Sequence, residues 1–293
     1  MTVNEWEELR QGLRQQGYIA DNNTAMLLQI SVLLNKPVLI EGPAGAGKTE
    51  LAKAWSQYLK RKLIRLQCYE GIDEAKALYD WNYQKQLLYI QAQGTAPKNW
   101  SDTSQSIYAK EFLLTRPLLA AITSQAPSVL LIDEIDKSDE EFESFLLEIL
   151  SDWQISIPET GTVTAASIPS VILTSNNTRS LSHALRRRCL YLYLDYPSEQ
   201  SELDILKLYF PQLNEAMGKQ AVAFVRRVRL EKCKKHPSIS EVIDWVNVLN
   251  RLEVPELSAD IVISTVNILL KYREDCLNII EKVKQKDWFT WTT

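Results

Sequence analysis

The sequence predicts an α/β fold, with a five-stranded parallel sheet and its helices over residues 1–196 and a smaller all-helical domain over 197–293. Three observations carry that prediction. Five short apolar runs are separated by stretches of helical periodicity, the pattern that buries a parallel sheet between helices. No strand-like run remains after Pro197. Three of the chain's nine glycines, Gly42, Gly45 and Gly47, cluster directly after the first apolar run. A chain so sparing with glycine concentrates it where backbone must turn tightly or approach another group closely.

The elements follow in order. Residues 23–35 (NTAMLLQISVLLN) read as a helix capped by Asn23 or Thr24. Lys36–Glu41 (KPVLIE) is apolar and bounded by proline and glycine, as a buried strand is. Residues 48–61 read as a helix, Leu63–Cys68 as a second strand, 72–95 as a helix and 96–108 as a loop. Ser128–Ile132, Ser170–Thr174 and Leu190–Leu194 complete the five strands. Between the first two of these, Ser138 and Glu141 form an S-x-x-E capping box. Phe142, Phe145, Leu146, Ile149, Leu150 and Trp153 then mark one apolar helix face. Gln154–Thr164 reads as a hairpin turning near Thr160 and Gly161. Five helices follow at 198–210, 213–230, 238–252, 257–272 and 274–287, punctuated by Pro211, Pro237 and Pro255.

Composition closes several functional classes. At 45% hydrophobic and 24% charged, the 293 residues describe an ordinary globular chain. Two distant histidines, His183 and His236, exclude a His-rich metal site. Four scattered cysteines (Cys68, Cys189, Cys233, Cys276) argue against structural zinc and a disulfide framework, and fit a reducing, cytoplasmic location. The N-terminus is polar, without the apolar stretch of a signal peptide. No apolar run reaches the ~18 residues of a membrane span. A net charge of −4 gives no global pull toward nucleic acid.

Gly42-Pro43-Ala44-Gly45-Ala46-Gly47-Lys48-Thr49 matches G-x-x-x-x-G-K-[ST] and sits between a strand and a helix, as phosphate binding requires. Its amides would face phosphate oxygens at a helix N-terminus. Lys48 would reach the β- and γ-phosphates of ATP and Thr49 would ligate Mg²⁺. Glu50 completes the candidate ATP-binding set. Val129–Ile132 ends in Asp133 and Glu134, a Mg²⁺ ligand and a general base for the attacking water. Asn176, after the strand Val171–Thr174, either orients that water, touches the γ-phosphate or simply fills a turn. Arg186, Arg187 and Arg188 precede the last strand. They are open to two readings, a satisfied helix end or an arginine offered to a neighbouring subunit.

Together these residues resemble the AAA+ ATPases, and more narrowly the MoxR family. The likeness is carried by EGPAGAGKTELAKA, VLLIDEIDKSDEEFESFLLEIL and LTSNNTRSLSHALRRRCLYLYLDYP. RLQCYEGIDEAKALYDWNYQKQLLYIQ and FLLTRPLL look like the branch linked to maturation of carbon monoxide dehydrogenase and related molybdenum hydroxylases. The resemblance implies a ring, usually a hexamer, that remodels a metalloenzyme client with a von Willebrand factor A-domain partner. It assigns Asn176 as first sensor and Arg188 as arginine finger, with Arg187 as fallback. It also implies a client-facing insertion within 82–108. One departure stands out: Ser240 or Glu241 occupies the position where the second-sensor arginine of the third lid helix is expected, which leaves the lid to sense nucleotide weakly, or through Lys234 or Lys235 nearby. The alternative class, a nucleic-acid motor or clamp-loader-like ATPase, rests on the basic run Arg226–Lys235, which lacks interleaved aromatics for base stacking.

Overall fold

The computed structural model describes residues 3–92, 107–158, 161–285 and 288. The chain forms two compact units. One comprises Met1–Gly12, Asp21–Glu41 and Thr49–Tyr193, and the other Leu13–Ala20, Gly42–Lys48 and Leu194–Thr293. The glycine-rich loop thus groups with the helical unit and not with the rest of 1–196.

The first unit is built on a five-stranded parallel sheet. Its strands are β1 (Val38–Glu41), β2 (Lys62–Gln67), β5 (Ser128–Asp133), β8 (Ser170–Ser175) and β9 (Leu190–Tyr193), in the order β2-β5-β8-β1-β9. Every residue of β1 and β5 is buried, as strands covered on both faces must be. Parallel pairing sets Gln67 opposite Asp133 and Glu41 opposite Ser175 and Tyr193, so the polar ends of the strands share one edge. Apolar side chains from β1, β2, β5 and β8 pack with Leu118, Ile122, Phe142 and Leu146 in the core.

Three local expectations are corrected. The helix containing Phe142 runs Glu140–Asp152 and is capped by Asp139, whose carboxylate accepts from Phe142 N–H at 2.8 Å. Ser138 is turned away, its hydroxyl donating to Ile135 O at 2.8 Å, because a 3₁₀ turn over Ile135–Lys137 intervenes. The helix over Asn22–Leu34 is capped by Asp21 rather than Asn23 or Thr24. The stretch 72–95 breaks into Glu74–Ala77, a strand β3 (Tyr79–Trp81) and a helix Tyr83–Ala92. The break arises because β3 pairs antiparallel with β4 (Leu113–Thr115), a tertiary contact that overrides local helix preference. The predicted hairpin forms from β6 (Gln154–Ile157) and β7 (Gly161–Thr164), with Gly161 at φ 85°. Thr160 lies outside the described residues.

Among its described residues the second unit carries helices at Glu199–Tyr209, Glu215–Leu230, Ile239–Arg251, Ala259–Leu269 and Arg273–Val283. Phe224 and Trp245 are fully buried at its centre. Ser238 and Glu241 form the expected capping box on Ile239–Arg251.

Candidate functional site

The glycine-rich loop closes around its own lysine. Lys48 opens the helix Lys48–Tyr58, is only 7% exposed, and donates from Nζ to Gly42 O at 2.7 Å and Pro43 O at 2.9 Å. The glycines permit this. A Cβ at Gly42 would lie 1.9 Å from the Leu194 carbonyl oxygen. One at Gly45, whose φ is +78°, would lie 2.3 Å from the Ser238 side chain. The loop is thus a tight cradle at a helix N-terminus, the geometry that presents amides to an anion.

Thr49, next along the same helix, reaches the strand ends. Its hydroxyl donates to Asp133 Oδ1 at 3.2 Å and lies 3.3 Å from Oδ2. Asp133 is 2% exposed, and a buried carboxylate needs partners. Thr174 Oγ1 donates to its Oδ1 at 2.5 Å, and Arg65 donates to its Oδ2 from Nε at 3.0 Å and Nη2 at 2.6 Å. A hydroxyl and a carboxylate are the hard oxygen donors that suit Mg²⁺ shared with a nucleotide, which typically takes one or two protein ligands. Among the described residues no group of three or more His, Cys, Asp or Glu is arranged to hold a metal unaided. The local field is negative. Burial, and then Asp133, Asp136 and Glu134, push the neighbouring Cys68 thiol up to about 12.

Glu134 occupies the left-handed region at φ 58°, which non-glycine residues rarely adopt and which clusters at working sites. Its backbone N–H donates to Thr174 Oγ1 at 2.9 Å. One hydroxyl therefore links both acidic residues. The Glu134 carboxylate accepts from Gln67 Nε2 at 2.8 Å and pairs with Lys137 at 2.5 Å. Sequence reasoning missed Gln67 and Arg65. No motif marks them, and only the β2–β5 register brings them to Asp133 and Glu134.

Asn176 directly follows β8 and is half-buried. Beside it, Asp136 accepts from Thr178 N at 3.0 Å and Oγ1 at 2.6 Å. Burial opposes ionisation of Asp136, but these bonds and the Asn176 amide offset it, so its carboxyl lies below the ordinary range.

The arginine triplet separates by environment. Arg186 pairs with Glu41 at 2.5 Å, and Glu41 is 5% exposed on its side chain. It is held by a buried strand end. Arg187 and Arg188 are exposed at the end of the helix His183–Arg188.

In the helical unit Ser240 is exposed, and the Glu241 carboxylate accepts from Ser238 N–H at 2.9 Å and Lys235 Nζ at 3.0 Å. Burial would raise the Glu241 carboxyl, yet Ser238 and Lys235 bring it below the ordinary range. Lys234 pairs with Glu274 at 2.9 Å. Both candidate lysines thus carry carboxylate partners. Three other cations of the run also have partners within the helical unit. Arg226 faces Glu199 at 3.7 Å, Arg227 lies 4.8 Å from the Trp288 ring centroid, and Arg229 meets buried Glu202 at 2.7 Å.

Within 82–108, Tyr89 packs edge-on against Phe112 at 5.3 Å, and Trp100 lies outside the described residues.

A family model described as an AAA domain of the dynein-related subfamily matches residues 37–189. Chloroplastic chaperone protein ClpC1 of Arabidopsis thaliana is 26% identical over 86% of the chain, which spans only 24% of that protein. An uncharacterised protein of Staphylococcus saprophyticus is 24% identical over 71% of the chain and 72% of its own length. Among solved structures, a mutant of RuvB from Thermotoga maritima aligns with 92% of this chain and 74% of its own. Its TM-score is 0.53 at 17% identity, a likeness of fold.

Proposed function

This chain belongs to the AAA domain family, dynein-related subfamily, and from that premise we propose that it hydrolyses ATP within a ring to remodel a client protein. The observation that carries the reading is buried Asp133 bonded to Thr49 of the loop helix, with Glu134 next to it. The loop amides and Lys48 hold the phosphates, and Thr49 and Asp133 hold Mg²⁺. When bound, the ion neutralises charge on the phosphate oxygens. Glu134 takes the proton from the attacking water, and Gln67 and Lys137 fix where its carboxylate sits. Asn176 orients the water. Arg188, exposed and outside the Glu41 pair, serves the neighbouring copy's site, with Arg187 as fallback.

The finer reading follows the sequence: a hexameric, cytoplasmic ATPase of the MoxR type. Its client is a molybdenum-containing enzyme of the carbon monoxide dehydrogenase kind, with a von Willebrand factor A-domain partner. The likeness to ClpC chaperones supports a protein client, though it spans about a quarter of their length. Nucleic acid is disfavoured because the cations of Arg226–Lys235 mostly face carboxylates of their own unit. With no arginine at the lid helix start, hydrolysis is coupled to the lid only weakly.

Phosphate release and nucleotide binding test the reading together. Lys48→Ala loses nucleotide binding, whereas Glu134→Gln binds ATP and turns it over at least ~10²-fold more slowly, the scale of a lost general base. Full turnover by Glu134→Gln overturns the assignment.

A further inference from the structure

Away from the strand-end site, the sheet unit holds a cavity of about 660 Å³ between the β3 region and the hairpin that follows Glu140–Asp152. Its floor is apolar, with Ile149 and Ile155 buried and Phe145 half-buried. Tyr79, Trp81 and Tyr83 supply aromatic walls. Three carboxylates, Glu74, Asp80 and Glu148, line it, and no lysine, arginine or histidine among the described residues does.

Those acids are not spent on internal partners to the extent seen elsewhere. Asp80 faces Arg116 at 3.6 Å, but Glu74 and Glu148 have no ion pair among the described residues. Trp81 is 6% exposed, and its buried Nε1–H has no hydrogen-bond acceptor among the described residues. β6 contributes Gln154, Ile155 and Ser156 to the wall and, among the described residues, is paired only with β7. Its other edge offers backbone donors and acceptors to an added strand.

We propose that this cavity binds an extended protein segment carrying a lysine or arginine side chain. Each part of the cavity fits a part of that ligand. The β6 edge pairs with extended backbone, the aliphatic stem of the basic residue covers Ile149 and Phe145, and its cation lies among aromatic faces and carboxylates. Nucleic acid does not suit walls of this charge. That the segment belongs to a remodelled client rests on the proposed function, but binding itself requires no turnover.

Fluorescence anisotropy with the labelled peptide acetyl-Thr-Val-Arg-Val-Thr-Val-amide tests the site in the full-length chain. Saturable binding is expected, about tenfold weaker when citrulline replaces the arginine and weaker again with glutamate. The double variant Glu74→Gln/Glu148→Gln, changed only at exposed residues, should lose binding about tenfold while its ATP turnover stays unchanged. Equal binding of the arginine, citrulline and glutamate peptides would overturn the proposal, as would full binding by the double variant. Binding that appears only after residues 94–105 are replaced by a Gly-Ser linker would assign the cavity to the chain's own segment and overturn it too. Loss of ATP turnover in wild type with peptide binding intact would count against the proposed function and leave this site standing.

Discussion

Two charged clusters are conspicuous in this sequence, and they use their charge in opposite ways. At the strand ends of the sheet unit, Thr49, Arg65 and Thr174 converge on one buried carboxylate, and Gln67 and Lys137 converge on its neighbour. The hydroxyl of Thr174 serves both. In the helical unit, the run Arg226–Lys235 disperses instead: each of its paired cations meets a separate acid or ring. Charge that converges from several strands onto one point is organised to act on something brought there. Charge that disperses into separate pairs holds helices in register. Local density of charge in a sequence does not distinguish the two; the partners do.

The arginine triplet contains both behaviours in three residues, and it gives the largest expected effect. Arg188→Ala should lower ATP turnover by roughly 10³-fold or more, the scale of a lost arginine finger. Its thermal stability should stay within about 0.5 kcal/mol of wild type. Mixing it with Lys48→Ala subunits should restore part of the turnover, because each variant supplies the half that the other lacks. Arg186→Ala should do the reverse. It removes the cation paired with the buried Glu41 carboxylate and leaves it the Tyr191 hydroxyl, costing about 1–3 kcal/mol after allowing for the partial exposure of the arginine. If Arg188→Ala kept its turnover and Arg187→Ala lost it, the finger would move one residue along. If neither mattered, the convergence of charge would stop at the subunit's own edge.

The helical unit supplies the next test. Glu202 is fully buried, and Arg229, 11% exposed, meets it at 2.7 Å, donates to Pro237 O at 2.8 Å and lies 4.7 Å from the Tyr196 ring centroid. Arg229→Ala should therefore cost about 3–5 kcal/mol in a urea titration, the penalty for an abandoned buried charge. Lys232→Gln, at a cation of the run with no ion pair among the described residues, should leave stability within about 0.5 kcal/mol. ATP turnover of the wild-type chain should not respond to added DNA or RNA at low salt. A response that steepened as salt fell would mean that the run binds phosphate backbones despite its internal pairs.

The same contrast explains what could be read from the sequence. The loop 42–49 and the Asp133–Glu134 strand end could be picked out as candidates because each is a short string of adjacent residues, and the structure brings Thr49 of the one against Asp133 of the other. The five strands were legible because a sheet covered on both faces demands unbroken apolar runs. Gln67 and Arg65 were not, since their role depends on β2 lying beside β5 in a fixed register. The strand Tyr79–Trp81 was hidden for a similar reason, its partner β4 lying beyond residue 110. Ser138 misled because it satisfied the capping pattern while the 3₁₀ turn of Ile135–Lys137 displaced the true cap to Asp139. At Arg226–Lys235 the acids that consume the charge come mostly from other helices, so the run alone looked available.

A smaller loss than that at Arg229 is expected at Asp136, which joins the acidic turn to the segment after β8 through the N–H and the hydroxyl of Thr178. Hydrogen bonds to the charged form outweigh its burial and hold its carboxyl below the ordinary range. A carboxylate with a depressed folded pKa stabilises the fold above the unfolded value, about 3.9 for aspartate. That contribution is lost as pH falls from there through the lower folded value. Asp136→Asn keeps the shape and one acceptor but removes the charge, so it should be less stable at pH 7 by about 1–2 kcal/mol. The gap between variant and wild type should then shrink as urea titrations move from pH 5 toward pH 3. A gap that stayed constant would mean that shape alone, and not the charged form, holds this turn against Thr178. Asp136 would then belong with the dispersed, structural use of charge rather than with the convergent cluster beside it.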